Sequence, residues 1–97
     1  MAYAVIFTSR LKPSAEGYDA IAEEIAELSK QQPGFLGIES ARAPSGDGIT
    51  VCYWESLEAI AAWKANARHL ETQRRGRAEW YERYSLKICR IEREETF

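Results

Sequence analysis

Trp63, Asn66, His69 and Gln73 stand three or four residues apart, so on a continuous helix they form one inclined ridge. Asn66 is the only asparagine and His69 the only histidine in the chain. An aromatic wall, a hydrogen-bonding amide and a group that titrates near neutrality suit a small aromatic ligand. Further aromatic and basic residues flank the ridge: Trp54-Glu55-Ser56 before it, and Gly76-Arg77 with Trp80-Tyr81 after it. The candidate catalytic residues are therefore His69, Asn66 and Trp63. The candidate substrate-binding residues are Trp54, Tyr53, Arg77 and Tyr81.

Each has a plainer alternative. Trp63 lies beside the apolar arc of Leu57, Ile60 and Ala67, where an aromatic ring serves core packing. Asn66 is equally the mark of a helix break. His69 also fits an exposed helical position. Arg74, Arg75 and Arg77 can grip an anion, yet with Glu71, Glu79 and Glu82 nearby they also fit a solvated, salt-bridged face. Tyr53, Tyr81 and Tyr84 line a cavity or fill it.

The chain has no phosphate-binding loop, dinucleotide fingerprint, zinc-ligand cluster or nucleophile elbow. No metal or cofactor is expected, and any reaction must lean on the reactivity of its substrate. Thirteen basic against fifteen acidic residues give a net charge of −2, which argues against nucleic-acid or anionic-membrane partners. Met1 to Leu11 lacks the basic and apolar regions of a signal peptide, so the cytoplasm is the expected location.

Ninety-seven residues, 45% hydrophobic and 29% charged, fit one globular domain spanning 1–97. Its elements follow from periodicity and punctuation. Tyr3 to Leu11 reads as a strand stopped by Pro13. Tyr18, Ile21, Ala22, Ile25, Ala26 and Leu28 recur at helical spacing, predicting a helix from about Glu16 to Gln31 that ends at Pro33-Gly34. Phe35 to Arg42 and Ile49 to Trp54 read as strands around a hairpin loop at Pro44 to Gly48. Ser56 offers a helix cap, and a second helix from Leu57 is expected to bend near Asn66 and end at Gly76. A last strand covers about Tyr84 to Arg93.

This β-α-β-β-α-β order is the α+β, ferredoxin-like arrangement with an antiparallel sheet. Right-handed crossovers place both helices on one face of the sheet. The other face is not polar: Ala4 and Ile6 oppose Tyr3, Val5 and Phe7, Phe35 opposes Leu36 and Ile38, and Ile49, Val51 and Tyr53 oppose Cys52 and Trp54. A second copy packed sheet to sheet would cover it, so a homodimer is expected. Cys52 and Cys89 fall about two strand spacings apart, roughly 9–10 Å, too far for a disulfide.

At these residues the chain resembles the antibiotic-biosynthesis monooxygenase family of dimeric α+β barrel proteins. The resemblance rests on Leu11-Lys12-Pro13, Pro33-Gly34-Phe35, Trp54-Glu55-Ser56 leading to Trp63 and His69, Gly76-Arg77-Ala78-Glu79-Trp80-Tyr81, and Glu92-Arg93. It implies two sheets packed as a barrel-like dimer, with a pocket in each subunit between helices and sheet. It also implies cofactor-independent oxidation of a phenolic, quinol or polyketide-like aromatic by molecular oxygen. His69 would then be the general base, with Trp63 and Asn66 holding the ring and the developing oxyanion. The haem-degrading branch fits less well, because Gln73 stands where its haem-ligating histidine is placed. Its first-strand asparagine is also missing among Ile6, Phe7 and Thr8.

Two other classes compete. One is a non-catalytic binder of small aromatic or lipophilic ligands. The other is a structural or stress-associated dimer whose pocket is filled by its own tyrosines.

Overall fold

The structure, a computed structural model, describes residues 2–15, 17–73 and 80–97, and over 68–73 the backbone alone. Its elements are β1 (Tyr3–Leu11), α1 (Tyr18–Lys30), β2 (Phe35–Arg42), β3 (Asp47–Trp54), α2 (Leu57–Gln73) and β4 (Tyr81–Arg90). The four strands form one sheet in the order β2-β3-β1-β4, with every pairing antiparallel. This is the expected ferredoxin-like α+β arrangement.

Element ends depart from the sequence pattern for local reasons. Gly17 has φ 77°, a left-handed conformation that a helix cannot include, so α1 begins at Tyr18. Gly46, at φ 96°, closes a tight turn in which its N–H bonds to the carbonyl of Ala43, and β3 starts early, at Asp47. β4 begins at Tyr81 because a bulge between Arg10 and Leu11 lets Leu11 pair with it. It ends at Arg90, opposite Tyr3, the first residue of β1, and one further backbone bond, from the N–H of Ile91 to the carbonyl of Ala2 at 2.9 Å, follows the strand end.

Ser56 caps α2 as expected, accepting the N–H of Ala59 at 3.1 Å. The bend expected near Asn66 is absent, for α2 is continuous from Leu57 to Gln73. Asn66 directs its amide to the side chain of Gln32 at 3.1 Å and does not compete for its own helix backbone. The expected cap at Gly76 lies outside the described residues.

The core sits between the helices and one sheet face. Val5, Cys52, Trp54 and Ile60 are its buried centre, with Phe35, Ile38, Trp63 and Leu86 packed around them. Ile38 was expected opposite Phe35, yet both join this core. A register shift between Phe35 and Gly37 accounts for it: Phe35 pairs with Trp54 and Ile38 with Cys52, leaving Leu36 51% exposed at the bulge. The other sheet face carries Ile6, Ile49, Val51 and Tyr53, and Ile49 is 43% exposed. Cys52 and Cys89 are both free, and their pairings with Val5 and Ala4 put them on opposite faces. No described helix is long and apolar enough to cross a membrane.

Candidate functional site

Cross-strand register lays the helix-covered face of the sheet out in rows. Ile38, Cys52, Val5 and Ile88 form one row across all four strands. Two residues along each strand, the next row is Ser40, Thr50, Phe7 and Leu86, and the next is Arg42, Gly48, Ser9 and Tyr84. The floor thus changes from apolar to polar over four residues of strand, about 13 Å.

Above this floor lies a cavity of about 360 Å³. α1 contributes Tyr18, Ala22, Ile25 and Ser29 to its walls, and α2 contributes Trp63 and Ala67. Their spacing is the amphipathic period that also drives the helices onto the sheet. Trp80 and Tyr81, at the entry to β4, complete the lining beside Phe7. Trp80 is held there by its carbonyl, which accepts the N–H of Lys12 at 2.8 Å.

At the polar end, Arg42 crosses over Gly48 to reach the first strand. Its guanidinium donates to the hydroxyls of Ser9 at 2.9 Å and Tyr18 at 3.2 Å, and to the carbonyl of Gly46. Arg42 also lies 5.3 Å from the centre of the Tyr18 ring. The Tyr81 hydroxyl donates to that of Tyr18 at 3.4 Å. None of the ion pairs among the described residues involves Arg42. Toward the apolar end, Cys52 lines the cavity, and burial pushes its thiol pKa up to about 11.

The candidate residues divide sharply by position. Trp63 and Tyr81 line the cavity. Trp54 is fully buried beneath Trp63, with ring centres 5.3 Å apart, and supports the wall without lining it. Tyr53 lies on the opposite sheet face, donating to Glu39 at 2.7 Å, a bond that holds its proton and raises its pKa. Asn66 is exposed and bonded to Gln32, away from the cavity lining. His69 belongs to α2, but its side chain lies outside the described residues, as does Arg77. Tyr18 and Tyr81 border the cavity without filling it, which removes the premise of a pocket closed by its own tyrosines.

Arg42, Tyr18 and Ser9 were not among the candidates. The signal was present in the alternation Ile38, Ser40, Arg42, an apolar-to-charged gradient along one strand face. The bulge after Phe35 hid it, because simple alternation from Phe35 assigns these residues to the wrong side.

Comparison with known proteins adds a family and a fold. The family model described as antibiotic biosynthesis monooxygenase matches residues 1–75. The chain is 42% identical over 95 residues to "Uncharacterized protein YqjZ" of Bacillus subtilis (strain 168), covering 98% of this chain and 83% of that one. It superposes on Rv0793 from Mycobacterium tuberculosis with a TM-score of 0.81 at 15% identity, covering 99% of this chain and 100% of that one. With SnoaB, a cofactor-independent oxygenase from Streptomyces nogalater, the TM-score is 0.78 at 11% identity, covering 96% and 95% of the two chains. These two structural likenesses establish a shared fold.

Proposed function

Because the chain belongs to the antibiotic biosynthesis monooxygenase family, we propose that it oxidises a small phenolic or quinol-like aromatic with molecular oxygen and without a cofactor. The observation that carries this reading is the 360 Å³ cavity, walled by Trp63, Phe7 and Leu86 and ended by hydroxyl and guanidinium donors. Apolar walls with a few convergent polar groups suit an oxygenated ring. The fold shared with SnoaB, a cofactor-independent oxygenase, is consistent with that chemistry.

In this reading a base removes the phenolic proton and the resulting anion passes electrons to oxygen. His69 is the proposed base, since an imidazole titrates near working pH. Trp63 is the proposed ring platform. For an anthrone, the ring CH₂ becomes C=O, one oxygen atom enters the product and the other leaves as water. The substrate supplies all four electrons, so no external reductant is needed. Asn66, which the resemblance assigns to the oxyanion, has its amide engaged with Gln32 and does not line the cavity.

The working unit is proposed to be a homodimer joined through the sheet face that bears Ile6, Ile49 and Val51, whose apolar side chains the helices leave uncovered.

Oxygen uptake by metal-free protein with a panel of hydroquinones and anthrones tests the reaction. Uptake is expected, with a loss of at least tenfold in His69→Ala. No uptake, or uptake unchanged in His69→Ala, overturns the reading. Native mass spectrometry showing an unmodified aromatic ligand, retained without oxygen dependence, would make the protein a binder instead.

A further inference from the structure

Arg42 is a charged group facing an apolar cavity, and its partners are all neutral. Three of a guanidinium's five N–H donors go to Ser9, Tyr18 and Gly46, which leaves two uncommitted. No carboxylate among the described residues pairs with it. A partly buried guanidinium ordinarily finds a counter-ion, because desolvating an unpaired charge is costly. Here the fold invests in holding the group in place. A Cβ at position 48 would stand 2.5 Å from Arg42 Cζ and 2.8 Å from each terminal nitrogen, so only glycine lets the guanidinium lie there.

The other charges at the cavity point the same way. Lys64 from α2 and Asp19 from α1 also line it, so the described lining carries two cations and one carboxylate. One positive charge is left over, in a chain whose net charge is −2. Tyr18 accepts from both Arg42 and Tyr81, so its own proton remains available to a ligand oxygen.

We propose that the cavity is built for an aromatic carboxylate, its ring system over the apolar rows near Val5, Cys52 and Trp63 and its carboxylate between Arg42 and Tyr18. This rests on the reading of the cavity as the substrate site and narrows the substrate to a ring bearing an acid group. The choice of carboxylate follows from permanence of charge. Arginine stays protonated at neutral pH, and a carboxylate stays ionised there, whereas an ordinary phenol is neutral and leaves the guanidinium uncompensated.

Calorimetric titration with 1-naphthoate and its neutral counterpart 1-naphthamide, under anaerobic conditions, tests this. The wild-type protein is expected to bind the acid at least tenfold more tightly than the amide. In Arg42→Gln that preference should shrink to within twofold. In Gly48→Ala the added methyl displaces the flexible guanidinium, and the preference should fall severalfold with an unfolding midpoint near wild type. Equal affinity for acid and amide in the wild type overturns the inference. So does an acid preference that survives in Arg42→Gln, or in a folded Gly48→Ala should Arg42→Gln not fold. Because no oxygen is present, an acid preference found alongside absent oxygen uptake keeps this inference and removes only the oxygenase reading. Binding of neither probe at millimolar concentration overturns the inference together with the assignment of the cavity.

Discussion

The indole rings of Trp54 and Trp63 lie 5.3 Å apart at 35°, and neither N–H has an acceptor among the described residues. The two rings share a contact but not a task. Trp54 is 0% exposed and belongs to the core, whereas Trp63 turns one side to the cavity. Trp54→Ala should therefore cost about 3–5 kcal/mol of stability in urea unfolding. Trp54→Phe should cost distinctly less, because the smaller ring also removes an unsatisfied buried donor. Trp63→Phe should cost about 1 kcal/mol and weaken 1-naphthoate binding, which Trp54→Phe leaves unchanged. Equal effects of the two phenylalanine variants on binding would contradict this division.

Gly34 and Gly17 separate backbone strain from close approach. Both have positive φ, at 87° and 77°. A Cβ at Gly17 would meet nothing within 4 Å, whereas one at Gly34 would come within 2.7 Å of the Ala59 Cβ on α2. Gly17→Ala should therefore lose about 1 kcal/mol, the strain alone. Gly34→Ala adds a clash between the β2 turn and the helix that carries Trp63, and should lose at least about 2 kcal/mol. Thermal or urea unfolding of the pair checks the difference, and equal losses would show that the turn simply relaxes away from α2.

The βαββαβ order was legible in the sequence because each element carries its own period and its own stop, such as Pro33-Gly34 and the Ser56 cap. The bulge after Phe35 was missed by simple alternation, although Gly37, an isolated glycine inside a strand, is a residue type that marks one; the pairing of Phe35 with Trp54 and of Ile38 with Cys52 shows the shift. That single shift decides which residues of β2 face the cavity. Trp63 and Tyr81 could be found from aromatic spacing alone. Arg42 could not, because its role arises from Gly48 across the hairpin and Ser9 one strand further, positions 33 or more residues from one another along part of that path. Asn66 was conspicuous as the only asparagine, yet rarity says nothing about direction, and its partner is Gln32.

The uncovered sheet face makes a prediction about mass. Ile49, 43% exposed, pairs with Thr8 and Ala41 on that face. If two copies join there, light scattering should give twice 11.1 kDa for the wild type and the single mass for Ile49→Lys. The lysine should leave the circular dichroism of the sheet intact, since it replaces a side chain that the chain's own core does not use. A wild-type protein of single mass at micromolar concentration would exclude this interface.

Cys52 supplies a pH dependence with a definite sign. Burial raises its thiol pKa from 9.0 to about 11, so between those values the folded protein keeps a proton that the unfolded chain releases. Stability must then fall as pH rises through that window, by up to about 2–3 kcal/mol for the full shift, and be unaffected by this group below it. Cys52→Ala should flatten the decline above pH 9 while lowering stability modestly at neutral pH through lost packing. Alkylation gives a second readout. At pH 8, Cys52, which is 3% exposed, should react with iodoacetamide more slowly than the half-buried Cys89. Because Cys52 also lines the cavity, saturating 1-naphthoate should slow its alkylation further and leave that of Cys89 unchanged. Equal protection of both thiols would mean that the ligand acts on the whole fold and not at the cavity.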